Sequence, residues 1–316
     1  MKRMSIGLFL LGFFLCWAAA YAAGVSNIGV IVGSLENPFY QALVRGVKTS
    51  VQANYPSAKM TTVSSDFALD KQIKQIDEFV EQRIDLLLVV AADPLGVEPA
   101  IRRARAAGIT VVAVDVEAAG ADVTVTSDNV QAGELVCGYL AERLQGKGRV
   151  IIQNGPGVSS VLDRVKGCHN ALKAFPDIVI LSDVDNGLAS RWGGMKVMAD
   201  HLQRYASIDA VFCIDDPQAI GADSALVKAN RPDVLVGSVD GSPDIERALK
   251  SPGHIVVSAS QDPYLLGVRS ALIGLDIRKG IAPSANKVTV PVKLVTRDNI
   301  AMYRGWTNEG KPRVGE

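Results

Sequence analysis

The sequence has no excess of charge of either sign. Its 33 lysines and arginines balance 33 acids over 316 residues, and the pI lies near 6.8. Without basic clusters there is nothing to grip a phosphate backbone, so nucleic acid is excluded as a partner. Histidine is scarce: only His169, His201 and His254 occur, at spacings that fit no metal site. Cysteine numbers four. Cys16 lies in an N-terminal leader described below, which leaves Cys137, Cys168 and Cys213. Their spacings match neither a metal motif nor a C-x-x-C pair. The odd count weighs against a disulfide between Cys137 and Cys168, and Cys213, inside an apolar strand-like run, reads as a small core filler.

Catalytic and nucleotide-binding signatures are missing as well. There is no G-x-x-x-x-G-K-[ST] and no G-x-S-x-G. Gly155-Pro156-Gly157 stands between a strand and a helix but lacks the third Gly of a dinucleotide turn. Asp183-Val184-Asp185-Asn186-Gly187 has its Gly one place early for a calcium loop and no closing Glu. Asp215 and Asp216 are adjacent, and neighbours in sequence do not face each other across a glycosidic bond. No enzymatic chemistry, metal or cofactor is expected.

Long apolar runs are confined to the start of the chain. Lys2 and Arg3 precede apolar residues 6–20, followed by Ala20-Tyr21-Ala22 and Tyr21-Ala22-Ala23. A charged start, a short apolar core and an A-x-A-like site form a cleavable secretory signal peptide over residues 1–23. The run is short for a membrane span and no stop-transfer pattern follows. Phe14 and Leu15 ahead of Cys16 are too bulky for a lipidation site. Export and cleavage near Ala22 or Ala23 are expected.

What the chain does have is punctuation. Strand-like, β-branched runs alternate with amphipathic helical stretches, starting with residues 28–32 and a helix from Pro38 to about Asn54. The length suffices for two domains, and the alternation implies parallel sheets built of βαβ units in two architecturally similar halves. No low-complexity linker separates them. Strand after strand ends in a polar residue followed by Pro: Asn37-Pro38, Asp93-Pro94, Asp216-Pro217, Ser242-Pro243 and Asp262-Pro263. Those polar residues read as helix caps, with helices expected over residues 94–107 and from Pro217. Asp215, Asp240 and Gln261 come one or two residues earlier, at the carboxyl ends of strands, where open α/β sheets bind ligands. Asn37, Phe39 and Tyr40 occupy the same place after the first strand. The residues after 295, with Tyr303 and Trp306, exceed what a sheet needs and are expected to strap the outside of a lobe or to be partly disordered.

Several of these stretches carry a resemblance. Ser34-x-x-Asn37-Pro38-Phe39-Tyr40, Val114-Asp115, Ser127-Asp128-Asn129, Asp215-Asp216-x-x-Ala219-Ile220-Gly221-Ala222, Val239-Asp240-Gly241-Ser242-Pro243-Asp244 and Ala259-x-Gln261 occur in one order. Together they resemble the periplasmic sugar-binding proteins of the ribose-binding type (periplasmic binding protein type 1), from about Asn27 to Val295. The resemblance implies two α/β lobes, each a parallel sheet with helices on both faces, joined by a three-strand hinge. It places residues 24–128 plus 262–291 in the first lobe and 129–261 plus 292–316 in the second. It implies a periplasmic monomer that binds a small polyhydroxy ligand and delivers it to the membrane permease of an ABC transporter. Its ligand contacts fall on Asn37, Phe39, Tyr40, Asp115, Asp215, Asp240 and Gln261.

The chain also departs from that pattern. Val116 replaces an Arg after Asp115, and Asp215 replaces an Asn. A second Arg falls on Leu162, with Arg164 nearby, and an aromatic falls at about Ala189, with Trp192 one turn on. Arg164 and Trp192 are therefore additional candidates, Trp192 as a ligand wall or as lobe packing. The balance shifts toward carboxylates. Acids hydrogen-bonded to the hydroxyls of a neutral sugar or polyol account for this, as would an amino-bearing or signalling ligand that offsets their charge.

Overall fold

The computed structural model describes residues 24–306. The expected signal peptide lies outside the described residues. Two six-stranded sheets organise the chain. The first takes β1 (Asn27–Val32), β2 (Lys59–Ser64), β3 (Leu86–Val89), β4 (Thr110–Val114), β5 (Val123–Ser127) and β11 (Lys287–Val290), in the order β11-β5-β4-β3-β1-β2. The second takes β6 (Lys147–Gln153), β7 (Asp177–Ser182), β8 (Ala210–Cys213), β9 (Leu235–Asp240), β10 (Ile255–Ser260) and β12 (Lys293–Thr296), in the order β12-β10-β9-β8-β6-β7. Every pairing is parallel except β10 with β12. The two sheets therefore repeat one strand order without a repeated sequence.

Side-chain choice explains who sits where. β3 (LLLV), β4 (TVVAV) and β10 (IVVSAS) are buried throughout, as strands covered on both faces must be. The edge strands β2, β7, β11 and β12 each begin on a charged residue, Lys59, Asp177, Lys287 and Lys293, which discourages further strand pairing. Four apolar clusters, two to each sheet, fill the layers between sheet and helices. In the first lobe α1 (Pro38–Asn54) and α9 (Pro263–Arg278) cover one face, α2 (Leu69–Glu81) and α3 (Glu98–Ala106) the other. In the second, α4 (Asn129–Arg143) and α5 (Ser159–Leu172) oppose α6 (Arg191–Arg204), α7 (Asp216–Lys228) and α8 (Pro243–Leu249).

Three helix pairs meet through reciprocal glycines, α6 with α7 through Gly194 and Gly221 among them. A Cβ on Gly46 of α1 would collide with the Tyr264 carbonyl of α9, and one on Gly267 with the Leu43 carbonyl. Gly133 of α4 and Gly167 of α5 stand in the same relation to the carbonyls of Arg164 and Val130. This close approach overturns the expectation for cysteine. Cys137, one turn beyond Gly133, and Cys168, beside Gly167, form a disulfide with their Cα atoms 5.1 Å apart. Sequence spacing does not reveal a helix–helix approach. Cys213 is buried and is the free cysteine among the described residues.

Some boundaries also differ from expectation. Residues 94–97 are turn rather than helix, with Asp93 Oδ1 accepting from the amides of Leu95 and Gly96 (2.9 and 2.7 Å), so α3 begins only at Glu98. Pro217 is the second residue of α7, which makes Asp215 the cap and leaves Asp216 inside the helix. At Pro291-Val292, where the resemblance puts a crossing, β11 of the first sheet gives way to β12 of the second. The chain thus passes between sheets after β5, after β10 and between β11 and β12.

Candidate functional site

The carboxyl ends of both sheets face one cleft, and the lobes touch across it. Glu117 N donates to Ser159 Oγ (3.0 Å), and Lys287 of β11 reaches Asp163 of α5 (2.8 Å) and Glu117 (2.9 Å). Val158 packs against the apolar clusters of both lobes.

The first lobe contributes the start of α1. Asn37 caps that helix, its Oδ1 accepting from Phe39 N at 2.9 Å, and is itself exposed. The cap fixes where α1 begins and so fixes Phe39 and Tyr40, both buried, with their rings edge to face at 5.3 Å. Asp115 follows β4 with φ 69°, a left-handed backbone that a non-glycine residue adopts only where its surroundings hold it. Its N–H donates to Val125 O (2.9 Å) and its C=O accepts from Thr126 Oγ1 (2.6 Å), which supplies that hold.

The second lobe contributes charge. Asp215 caps α7, accepting from Gln218 N at 2.9 Å. Asp240 ends β9 with φ 134°, and its Oδ1 accepts from Gln261 Nε2 (2.7 Å) and lies 3.3 Å from Arg164 Nη1. Gln261 is buried, its Oε1 has no partner in the protein, and its N–H donates to Asp240 O (3.0 Å). Arg164 is buried too, donating from Nε to Asn129 Oδ1 (2.8 Å) and from Nη1 to Ile214 O (2.7 Å). Beneath these lies Asp216, read from sequence as a cap. It accepts instead from Ser238 Oγ (2.6 Å), Ser258 Oγ (2.9 Å) and Ser242 N (2.6 Å). Trp192 is 61% exposed at the start of α6, away from lobe packing.

The buried Asp115 and Asp215 and the part-buried Asp240 thus gather near one guanidinium with Asp216 beneath, and loss of solvent penalises their charge. It pushes Asp115 up to about 7, with the Arg164 charge lowering and Asp240 raising it. Asp215 is likewise pushed up to about 7 by burial and then by Asp240. Burial also raises Asp240 and holds Asp216 well above the usual carboxylate range. Burial first, then Asp115 and Asp240, drives the Tyr40 phenol well above its ordinary value. A carboxyl poised near neutrality both donates and accepts, as a hydroxyl partner requires. Among the described residues no cluster of His, Cys, Asp and Glu could hold a metal ion, and no helix is long and apolar enough to cross a membrane.

Three contributors escaped the sequence reading. Asn129 orients Arg164 and sits in the Ser127-Asp128-Asn129 run, a usable signal. Asp216 was hidden by the Pro after it. Trp306, in the tail, does not lie outside a lobe: its Nε1 donates to Asp240 O (3.0 Å) and its ring meets Phe39 at 5.5 Å. Nothing in the periodicity of the tail announces this.

Comparison with known proteins agrees with this fold. A ribose import binding protein of Bacillus subtilis is 30% identical over 275 residues, 86% of this chain and 87% of the relative. A xylitol-binding protein of Mycolicibacterium smegmatis is 30% identical over 301 residues, 92% and 83% of the two chains. A crystal structure of an ABC transporter solute binding protein from Mycobacterium smegmatis with bound glycerol superposes with a TM-score of 0.79 at 29% identity, covering 88% of this chain and 96% of that one. Residues 28–280, from the first strand through the last long helix, match the periplasmic binding protein domain, and the chain belongs to that family.

Proposed function

We propose that this protein captures a small neutral sugar or polyol between its two lobes and delivers it to the membrane permease of an ABC transporter. It acts as an exported, periplasmic monomer after loss of residues 1–23. The observation that carries the reading is the convergence of Asp115, Asp215, Asp240, Gln261 and Arg164 opposite Phe39 and Tyr40 in one buried cleft. Aromatic faces cover the C–H faces of a ring or chain and exclude water, while planar carboxyl, amide and guanidinium groups each bind neighbouring hydroxyls. Burial raises the acids and Arg164 offsets the charge that remains, so no cationic ligand is needed, which favours a neutral polyol over an amine. Relatives named for ribose and xylitol support the same ligand class.

The three passages between sheets form the hinge, with residues 24–128 plus 262–291 in one lobe and 129–261 plus 292–316 in the other. Ligand favours the closed form only through contacts made to both lobes at once. Asn37 serves by capping α1, and the direct contacts are Phe39, Tyr40, Asp115, Asp215, Asp240, Gln261 and Arg164. A thermal-shift screen against pentoses, hexoses, tetritols, pentitols, inositols and amino sugars tests the reading. A ligand at a hundred times its dissociation constant adds about 2.7 kcal/mol and raises the melting point by several degrees. The expected hit is a neutral sugar or polyol. A response to amines alone overturns the ligand class.

A further inference from the structure

The tail after β12 is tied into the second lobe. A 3-10 turn, Ile300–Met302, leads to Tyr303, whose hydroxyl donates to Gly241 O (2.5 Å) and lies 2.8 Å from Ser260 Oγ. A Cβ on Gly241, itself at φ 70°, would collide with both that hydroxyl and Ser260, so no side chain fits where the tail crosses. Gly305, at φ 66°, then turns the chain and brings Trp306 Nε1 to Asp240 O. The tail is thereby fixed to the β9 turn that bears the Asp240 carboxyl.

The indole ring, however, belongs to the other lobe. It is only 9% exposed, packs within the apolar cluster under α1 and α9, and meets Phe39 edge to face with an interplanar angle of 76°. Phe39 in turn abuts Tyr40. One residue thus anchors on a second-lobe turn and buries itself in a first-lobe core. Opening the cleft must pull the ring away from Phe39 or the tail from Asp240.

We infer that Trp306 is a positioning residue for ligand capture, a latch that holds Phe39 and Asp240 across the cleft and keeps part of the ligand-free population closed. The inference rests on the closure proposed above. An aromatic pair of this geometry shifts the closed-to-open ratio roughly two- to tenfold. Closure that is partly present before ligand arrives raises apparent affinity in proportion to the competent fraction.

The test uses the full mature chain with spin labels at Lys74→Cys on α2 and Lys196→Cys on α6, both exposed and in different lobes. Cys213 is buried and the other native pair is oxidised, so labelling stays at the two new sites. Inter-label distances are recorded without ligand for the parent, Trp306→Ala and Trp306→Phe, and for the parent with ribose, xylitol and myo-inositol. Trp306→Ala is expected to lower the closed-to-open ratio two- to tenfold, and Trp306→Phe to recover part of it through the ring contact alone. A merely structural role would lower the melting point of Trp306→Ala and leave its distances unchanged, and that result overturns the latch. If a probe shortens the distances of the parent while Trp306→Ala matches it without ligand, the latch falls and closure stands. One invariant distance in every sample sinks both.

Discussion

The two jaws of the cleft share a strand order and differ in chemistry. The first offers two aromatic rings and a single acid. The second offers Asp215, Asp216, Asp240 and Arg164, with Gln261 where the chain leaves its sheet. Their helix frames differ in the same sense. α1 and α9 meet through glycines without a covalent link, whereas α4 and α5 meet through glycines and a disulfide. Burial alone holds an aromatic jaw in place, since an apolar contact tolerates small shifts. A charged jaw does not tolerate them, because a displaced guanidinium leaves buried carboxylates without compensation. Arg164 lies on α5 four residues before the bridged Cys168, so the staple stiffens the helix where position matters most.

Removing that guanidinium should give the largest effect. Arg164→Met is expected to abolish sugar or polyol binding and to lower stability at neutral pH by about 3–5 kcal/mol, read by urea unfolding. A variant as stable as the parent would mean that the acids are already neutral and that the contrast between the jaws is one of shape. Replacing Cys137 and Cys168 together by Ala comes next. The bridge spans 31 residues, and its loss is expected to cost about 3–4 kcal/mol. Hydrogen exchange should show the lost protection in α4 and α5; equal loss in α1 and α9 would erase the distinction between the frames.

Proton linkage gives a graded effect. Asp115 and Asp215 hold their protons up to about 7 in the folded protein, above the unfolded carboxyl value of 3.8. Their contribution is fully present below the unfolded value and is lost as pH rises through about 7. The melting point of the ligand-free protein should therefore fall between about pH 4 and about pH 7. Asp115→Asn should flatten that slope, and an unchanged slope would remove Asp115 from the linked set. The smallest effect belongs to the rim, where Lys287 pairs with Asp163 and Glu117 in partial exposure. Lys287→Ala should weaken closure by only about 0.2–1 kcal/mol, an effect that added salt abolishes.

Much of this was legible in the sequence because local rules and the fold agree. Asn37-Pro38 starts a helix where it should, and polar residues at strand ends fall in the cleft. The failures share one cause, contacts that join distant segments. Cys137 and Cys168 are brought together by Gly133 and Gly167, which spacing along the chain does not reveal. Asp216 precedes a Pro as a cap would, yet α7 starts one residue sooner and three groups from β9, β10 and the turn before α8 converge on its carboxyl. Arg164 stood two places from the position the resemblance suggested, and Asn129, at the start of another helix, directs it. Trp306 follows no period at all, and only the tail's anchors at Gly241 and Asp240 give it a place.

The crossing at Pro291-Val292 bears on how the molecule comes into being. β11 completes the first sheet and β12 the second, and both follow every other strand of the two sheets. During synthesis neither sheet can acquire its final edge until the other ten strands have been made. A growing polypeptide of this order therefore stays short of its native packing until β11 and β12 emerge, and the two halves reach completion together.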